Sequence, residues 1–277
     1  RRRMAAPMGV REHISPHEIS RSPKDRFLHG SFYISVTRLV IVGSGFIFWI
    51  VAARYYSIES TGLASALDSA FGLVTLISRL GLDYSAIRFI PTADRTRVGD
   101  TVILVTTATC LLVGTIFVLI AGFVSEGLAE IRGLSHTVLF VGVALVESLV
   151  LITGVLFIAM RMPRTYLVQN AIMCVRIPML IVFAEYDDLG IIYAFGFAYL
   201  VTSAFSIAMI GRRAGKNHRL HLDTEFLSKA FHFSFWNYLS TLLTSLPVLL
   251  LPIIILEVSG SPDAARFYIC LAISNML

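Results

Sequence analysis

The chain has 277 residues, of which 56% are apolar and only 15% charged, with a mean hydropathy of +0.77 and a net charge of +5. Soluble domains carry roughly 25% charged residues, so this balance excludes an ordinary water-soluble globule. It calls instead for a lipid-exposed exterior, where apolar residues face outward as well as inward.

Residues 1–30 form a polar, basic tail with Pro7, Pro16 and Pro23, and no short apolar run there ends in a small-residue cleavage site. Seven segments after it are long and apolar enough to span a bilayer: Phe32–Ala53, Gly62–Leu82, Thr101–Val124, Thr137–Ala159, Tyr166–Glu185, Leu189–Ile210 and Phe231–Leu256. An eighth begins near Ala264 and is cut off by the end of the chain. Cys110, Cys174 and Cys270 all lie in apolar stretches without a CxxC or Cys/His cluster, which argues for small buried hydrophobes rather than a disulfide or zinc framework.

The charges alternate with the connections. Basic residues crowd the tail (Arg1, Arg2, Arg3, Arg11, Arg21, Lys24, Arg26) and the second-to-third connection (Arg79, Arg88, Arg95, Arg97). They recur in the fourth-to-fifth (Arg161, Arg164) and the sixth-to-seventh (Arg212, Arg213, Lys216, Arg219, Lys229). The opposite connections hold only Arg54, Arg132 and Arg266, beside acidic residues such as Glu59, Glu126, Glu130 and Asp263. Lys and Arg collect on the cytoplasmic side, so the N-terminus is expected inside, in the cytoplasmic membrane. A basic face for nucleic acid would not alternate in this way. The tail either meets anionic membrane lipids or only sets orientation.

A weak internal repeat is present. Leu28-His29-Gly30-Ser31-Phe32-Tyr33 resembles Phe231-His232-Phe233-Ser234-Phe235-Trp236, and Tyr56-Ser57-Ile58-Glu59 parallels Gly260-Ser261-Pro262-Asp263. Both matches share nearly the same offset and begin on the same side, as in parallel-repeat transporters. The expected fold is therefore an all-α polytopic transmembrane bundle: a two-lobed transporter with parallel six-helix repeats and a truncated second lobe. Its parts would be the tail (1–30), the first six-helix lobe (31–215) and the start of the second lobe (216–277), the chain being read as a fragment.

Ionisable groups inside a membrane are costly and default to functional candidates. Five qualify: Arg38, Asp68, Arg79, Glu147 and Arg176. Thr61, Ser65, Asp68, Gly72, Thr75, Arg79 and Asp83 recur every three or four residues, which predicts one polar face on the second helix, lining a wet cavity or an interhelical seam. Each candidate also has a structural reading. Arg79 and Asp83 form a local ion pair at a helix end, Asp68 bonds across a seam, Glu147 and Arg176 pair with each other, and Arg38 snorkels. Pro178, Pro247 and Pro252 would loosen backbone hydrogen bonds in their helices. No HExxH, GxSxG, Walker A or kinase motif occurs, so neither an enzyme nor a cofactor is expected.

Val51-Ala52-Ala53-Arg54-Tyr55-Tyr56-Ser57-Ile58-Glu59-Ser60-Thr61-Gly62-Leu63 resembles the turn after the first helix of polysaccharide export proteins. Ser78-Arg79-Leu80-Gly81-Leu82-Asp83-Tyr84 with Ile87-Arg88-Phe89 is similar to the segment after their second. Ile58 departs from the usual proline, which the second copy carries as Pro262. The family includes O-antigen and teichoic-acid flippases, within the superfamily of MATE exporters and the lipid II flippase. The resemblance implies a non-enzymatic flippase for a polyprenyl-pyrophosphate-linked oligosaccharide, serving cell-surface polysaccharide biosynthesis. Arg38 and Arg176 are then candidates for the pyrophosphate, since guanidinium suits bidentate phosphate contacts. In a MATE-like exporter, Asp68 and Glu147 would carry Na⁺ or H⁺ instead. A third reading is a non-transporting membrane partner of a glycan assembly complex.

Overall fold

The computed structural model describes residues 23–124, 133–214 and 220–274, and every regular element within them is helical. In chain order these are α1 (Pro23–Tyr55), α2 (Ile58–Ser78), α3 (Leu82–Phe89), α4 (Arg95–Val124) and α5 (Leu134–Ala159). Then follow α6 (Pro163–Met173), α7 (Arg176–Val182), a 3-10 turn (Ala184–Leu189), α8 (Gly190–Ala214), α9 (Thr224–Ser259) and α10 (Ser261–Ser274). Seven stretches among the described residues are long and apolar enough to cross a membrane: α1, α2, α4, α5, α6 with α7, α8 and α9. They coincide with the seven segments read from the sequence. Residues 1–22 of the basic tail lie outside the described residues, as do Glu126, Glu130, Arg132, Lys216 and Arg219. Residues 23–30, read as tail, already belong to α1.

Local chemistry sets the helix ends. Ser57 caps α2 by accepting the Ser60 amide at 3.0 Å, with Glu59 in the first turn. Asp223 does the same for α9, accepting the Phe226 amide at 2.9 Å. The second spanning helix begins and ends about four residues earlier than expected. It stops at Ser78 because Leu80 and Gly81 turn left-handed, at φ of 49° and 74°. Asp83 therefore sits on α3 and not on the α2 stripe. Gly81 has a second reason to be glycine, since a Cβ there would lie 2.8 Å from Cβ of Tyr238 on α9.

The fifth span is broken. Pro178 has no amide to return to the Cys174 carbonyl, so Ile177 donates to Cys174 instead, at 3.0 Å. Cys174 and Val175 likewise donate to Ala171 and Ile172, a tightened i→i−3 turn. Arg176 opens α7 at this break. By contrast α9 runs unbroken through Pro247 and Pro252.

Helix α2 is the hub. Its membrane window is 78% buried against 17% for α9, because α1, α4, α5, α8, α9 and α10 all pack on it. The main core gathers Phe48, Phe71, Phe195, Leu180 and Ile191 around it. A second cluster ties α3, α4 and α5 to the start of α9 through Leu82, Ile90, Val102, Leu156 and Phe226. At the other end of α2, Gly62 lies directly against the Ser261 backbone of α10. The α1–α2 and α9–α10 pairs share one plan, a long helix, a tight turn and a second helix.

Candidate functional site

The polar stripe of α2 faces α9 and α10. Thr61, Ser65 and Thr75 are buried along it, and their hydroxyls donate back to the helix's own carbonyls or cap. Asp68 has no such outlet and reaches across the seam, where the Tyr268 hydroxyl of α10 donates to its Oδ2 at 2.5 Å. Arg79, just past α2, bonds the Thr75 carbonyl through Nε at 3.3 Å and Asp83 through Nη1 at 3.4 Å. That pair closes a helix end, as its spacing suggested, although across a turn.

Glu147 and Arg176 do not pair with each other. Glu147, in the middle of α5 and only 8% exposed, accepts the Tyr199 hydroxyl of α8 on Oε1 at 3.3 Å. Its Oε2 is buried without a partner. Arg176 spreads its guanidinium over Phe48 and Phe195, 5.1 and 5.8 Å from the ring centroids, and donates to Ser44 at 3.4 Å. A cation on aromatic faces is stabilised by their quadrupoles. Its Nε nonetheless stays buried and unbonded. The field of Arg176 reaches both Asp68 and Glu147. With Arg79, which also acts on Glu147, these groups form one electrostatic centre.

Aromatic rings join them. Tyr268 packs on Trp49 at 4.7 Å, Trp49 on Phe48 at 5.5 Å, Phe48 on Phe195 at 4.4 Å, and Phe195 stacks on Tyr199 at 6.1 Å. The sequence reading missed Tyr199, Tyr268 and Trp49 because it searched for ionisable groups, and a tyrosine in an apolar run reads as core. It missed Gln169 for the same reason. This buried amide on α6 donates to the Val150 carbonyl, Thr153 and Ser206, stitching α5, α6 and α8 together. Arg38 stands apart from the centre. It is exposed on α1, within electrostatic range of Tyr166, and no hydrogen-bond or ion-pair partner holds it among the described residues.

A cavity of about 340 Å³ opens between α2, α5 and α9. Gly72, Thr75, Leu76 and Arg79 line one wall, Glu147 and Leu151 another, and Thr244, Ser245, Val248 and Leu249 the third. A buried polar atom without a partner costs about 1–3 kcal/mol, so Glu147, which lines the cavity, would gain from a ligand group that reached Oε2.

The Asp68–Tyr268 bond is expected to hold α10 on α2. A Tyr268→Phe variant should lose roughly 1.5–3 kcal/mol, the usual value of a bond to a charged group. The check is a lowered midpoint of thermal unfolding in detergent, and Asp68→Asn, which keeps an acceptor, should lose less.

Among known proteins, residues 27–268 match a family model described as polysaccharide biosynthesis protein. No curated protein and no solved structure matches the chain.

Proposed function

Since that match covers most of the chain, the protein belongs to the polysaccharide biosynthesis protein family, and from this premise we propose that it flips a polyprenyl-pyrophosphate-linked oligosaccharide across the cytoplasmic membrane for cell-surface glycan assembly. The observation that carries the reading is Arg176, a cation held at a helix break within the bundle, with no carboxylate bonded to it and no partner for Nε among the described residues. Among the described residues Arg176 bonds only the Ser44 hydroxyl, whereas an arginine inside a membrane pairs with backbone carbonyls or with a counter-charge. An anionic headgroup supplies one, and guanidinium takes phosphate oxygens two at a time. Arg38, exposed on the α1 surface, would be a second contact for the same headgroup. Asp68 is the group on which a coupling cation, Na⁺ or H⁺, would act; in the exporter reading Glu147 would join it.

Flipping is tested on the full-length protein in proteoliposomes carrying a fluorescent polyprenyl-pyrophosphate saccharide. Quenching from outside should report exchange between leaflets. Efflux of small organic cations without any flipping would select the exporter reading. Neither activity, with glycan assembly restored in cells, would select a non-transporting partner.

Orientation follows from the alternating charges. In a cysteine-free background, Ser259→Cys, at the turn between α9 and α10, should react with an impermeant thiol reagent in intact cells. Ser22→Cys should react only after permeabilisation. The reverse pattern would overturn the inside placement of the N-terminus.

A further inference from the structure

Resting on the reading above, we infer that the cavity between α2, α5 and α9 receives a single sugar unit of the lipid-linked saccharide, with Glu147 accepting its hydroxyl protons. The volume, about 340 Å³, lies at the small end of the range of roughly 300–1,000 Å³ found for ligand pockets. It has room for one sugar ring, with the rest of a longer saccharide extending through the open side.

The lining has the two-sided chemistry of a sugar. Glu147 Oε2 is a buried acceptor with nothing bonded to it. Thr75 and Thr244 line the cavity and spend their protons on the Gly72 and Ser240 carbonyls of their own helices, at 3.1 and 3.0 Å, so toward a ligand their remaining capacity is to accept. Arg79 supplies a donor at the same wall. Leu151 and Val248 offer carbon to the ring's C–H faces. A bare monovalent cation would leave most of this space to water and would have no use for the aliphatic wall.

The site is also distinct from the cationic one. Arg176 is bonded to Ser44 on α1 and does not line the cavity, yet its field reaches Glu147. A headgroup with its pyrophosphate at Arg176 and its first sugar at Glu147 would use both.

The experiment is calorimetric titration of the full-length protein in nanodiscs with three kinds of probe: neutral hexoses and N-acetylhexosamines, inorganic pyrophosphate, and Na⁺. At least one monosaccharide should bind. Glu147→Gln and Leu151→Phe should each weaken it more than tenfold, and Leu151→Phe should leave pyrophosphate unchanged. The first keeps side-chain size but replaces an acceptor oxygen with an amide. The second fills the cavity from a partly exposed position that tolerates bulk. Absence of binding by every sugar, or sugar affinity unmoved by both variants, would overturn the inference. So would loss of Na⁺ binding in place of sugar binding. Sugar binding that depends on both residues, without any pyrophosphate binding, would uphold this site while removing the headgroup reading on which Arg176 rests.

Discussion

Transport should be abolished in an Arg176→Met variant that still reaches the membrane at its ordinary level. Methionine keeps an unbranched stem over Phe48 and Phe195 and fills the gap without a charge, so the bundle should survive. Because Arg176 makes no ion pair with Glu147, its removal strands no carboxylate that it had been neutralising directly. What disappears is the charge proposed to hold the pyrophosphate. A charge-assisted bond contributes about 1.5–3 kcal/mol, and a bidentate contact more, so a loss of transport of a hundredfold or greater is the expected scale. Arg176→Lys should retain part of the activity, since the charge stays and the fork does not. The measurement is complementation of a flippase-deficient strain, with membrane levels checked by blot. Normal transport by a combined Arg38→Ala, Arg176→Met, Glu147→Leu variant would refute the cationic site and leave Asp68 as the chief candidate for an exporter.

The second large effect is structural. Gly62→Ala is expected to lower stability by more than the roughly 1–3 kcal/mol usual for overpacking, with a matching fall in the thermal midpoint. A Cβ at this position runs into the Ser261 carbonyl group, which is backbone and cannot rotate away. The two helices would have to part. Gly72, on the same face of α2, is the control. Its Cβ would meet only a Leu249 methyl at 2.9 Å, the far end of a flexible side chain, so Gly72→Ala should cost about 1 kcal/mol or less. Equal tolerance of both substitutions would show that α10 is not seated against the start of α2.

These two sites show where sequence reading stops. Arg176 is visible in the sequence as a charge in an apolar run, but its neighbours are not, because Ser44, Phe48 and Phe195 come from α1 and α8. Asp68 and Tyr268 are 200 positions apart. The end of α2 was nearer to being legible. A step of four from Arg79 to Asp83 suits a continuous helix, and an ion pair does form between them. Gly81 was the available signal against continuity, and its left-handed backbone is what breaks the helix.

The number of the spans and their approximate places were decided by the sequence alone. In lipid each helix must satisfy its own backbone hydrogen bonds, so a long apolar run is already a complete structural unit. The side-chain partnerships were decided only by tertiary packing. In water an apolar stripe tells a helix which face to bury. In a bilayer the outside is as apolar as the inside, and Leu39, Leu112 and Leu200 are exposed in the same helices that bury Phe48, Cys110 and Phe195. With that contrast gone, helix rotation and pairing are set by close contacts between small residues such as Gly62 and Ser261, and by the few polar groups that must find one another.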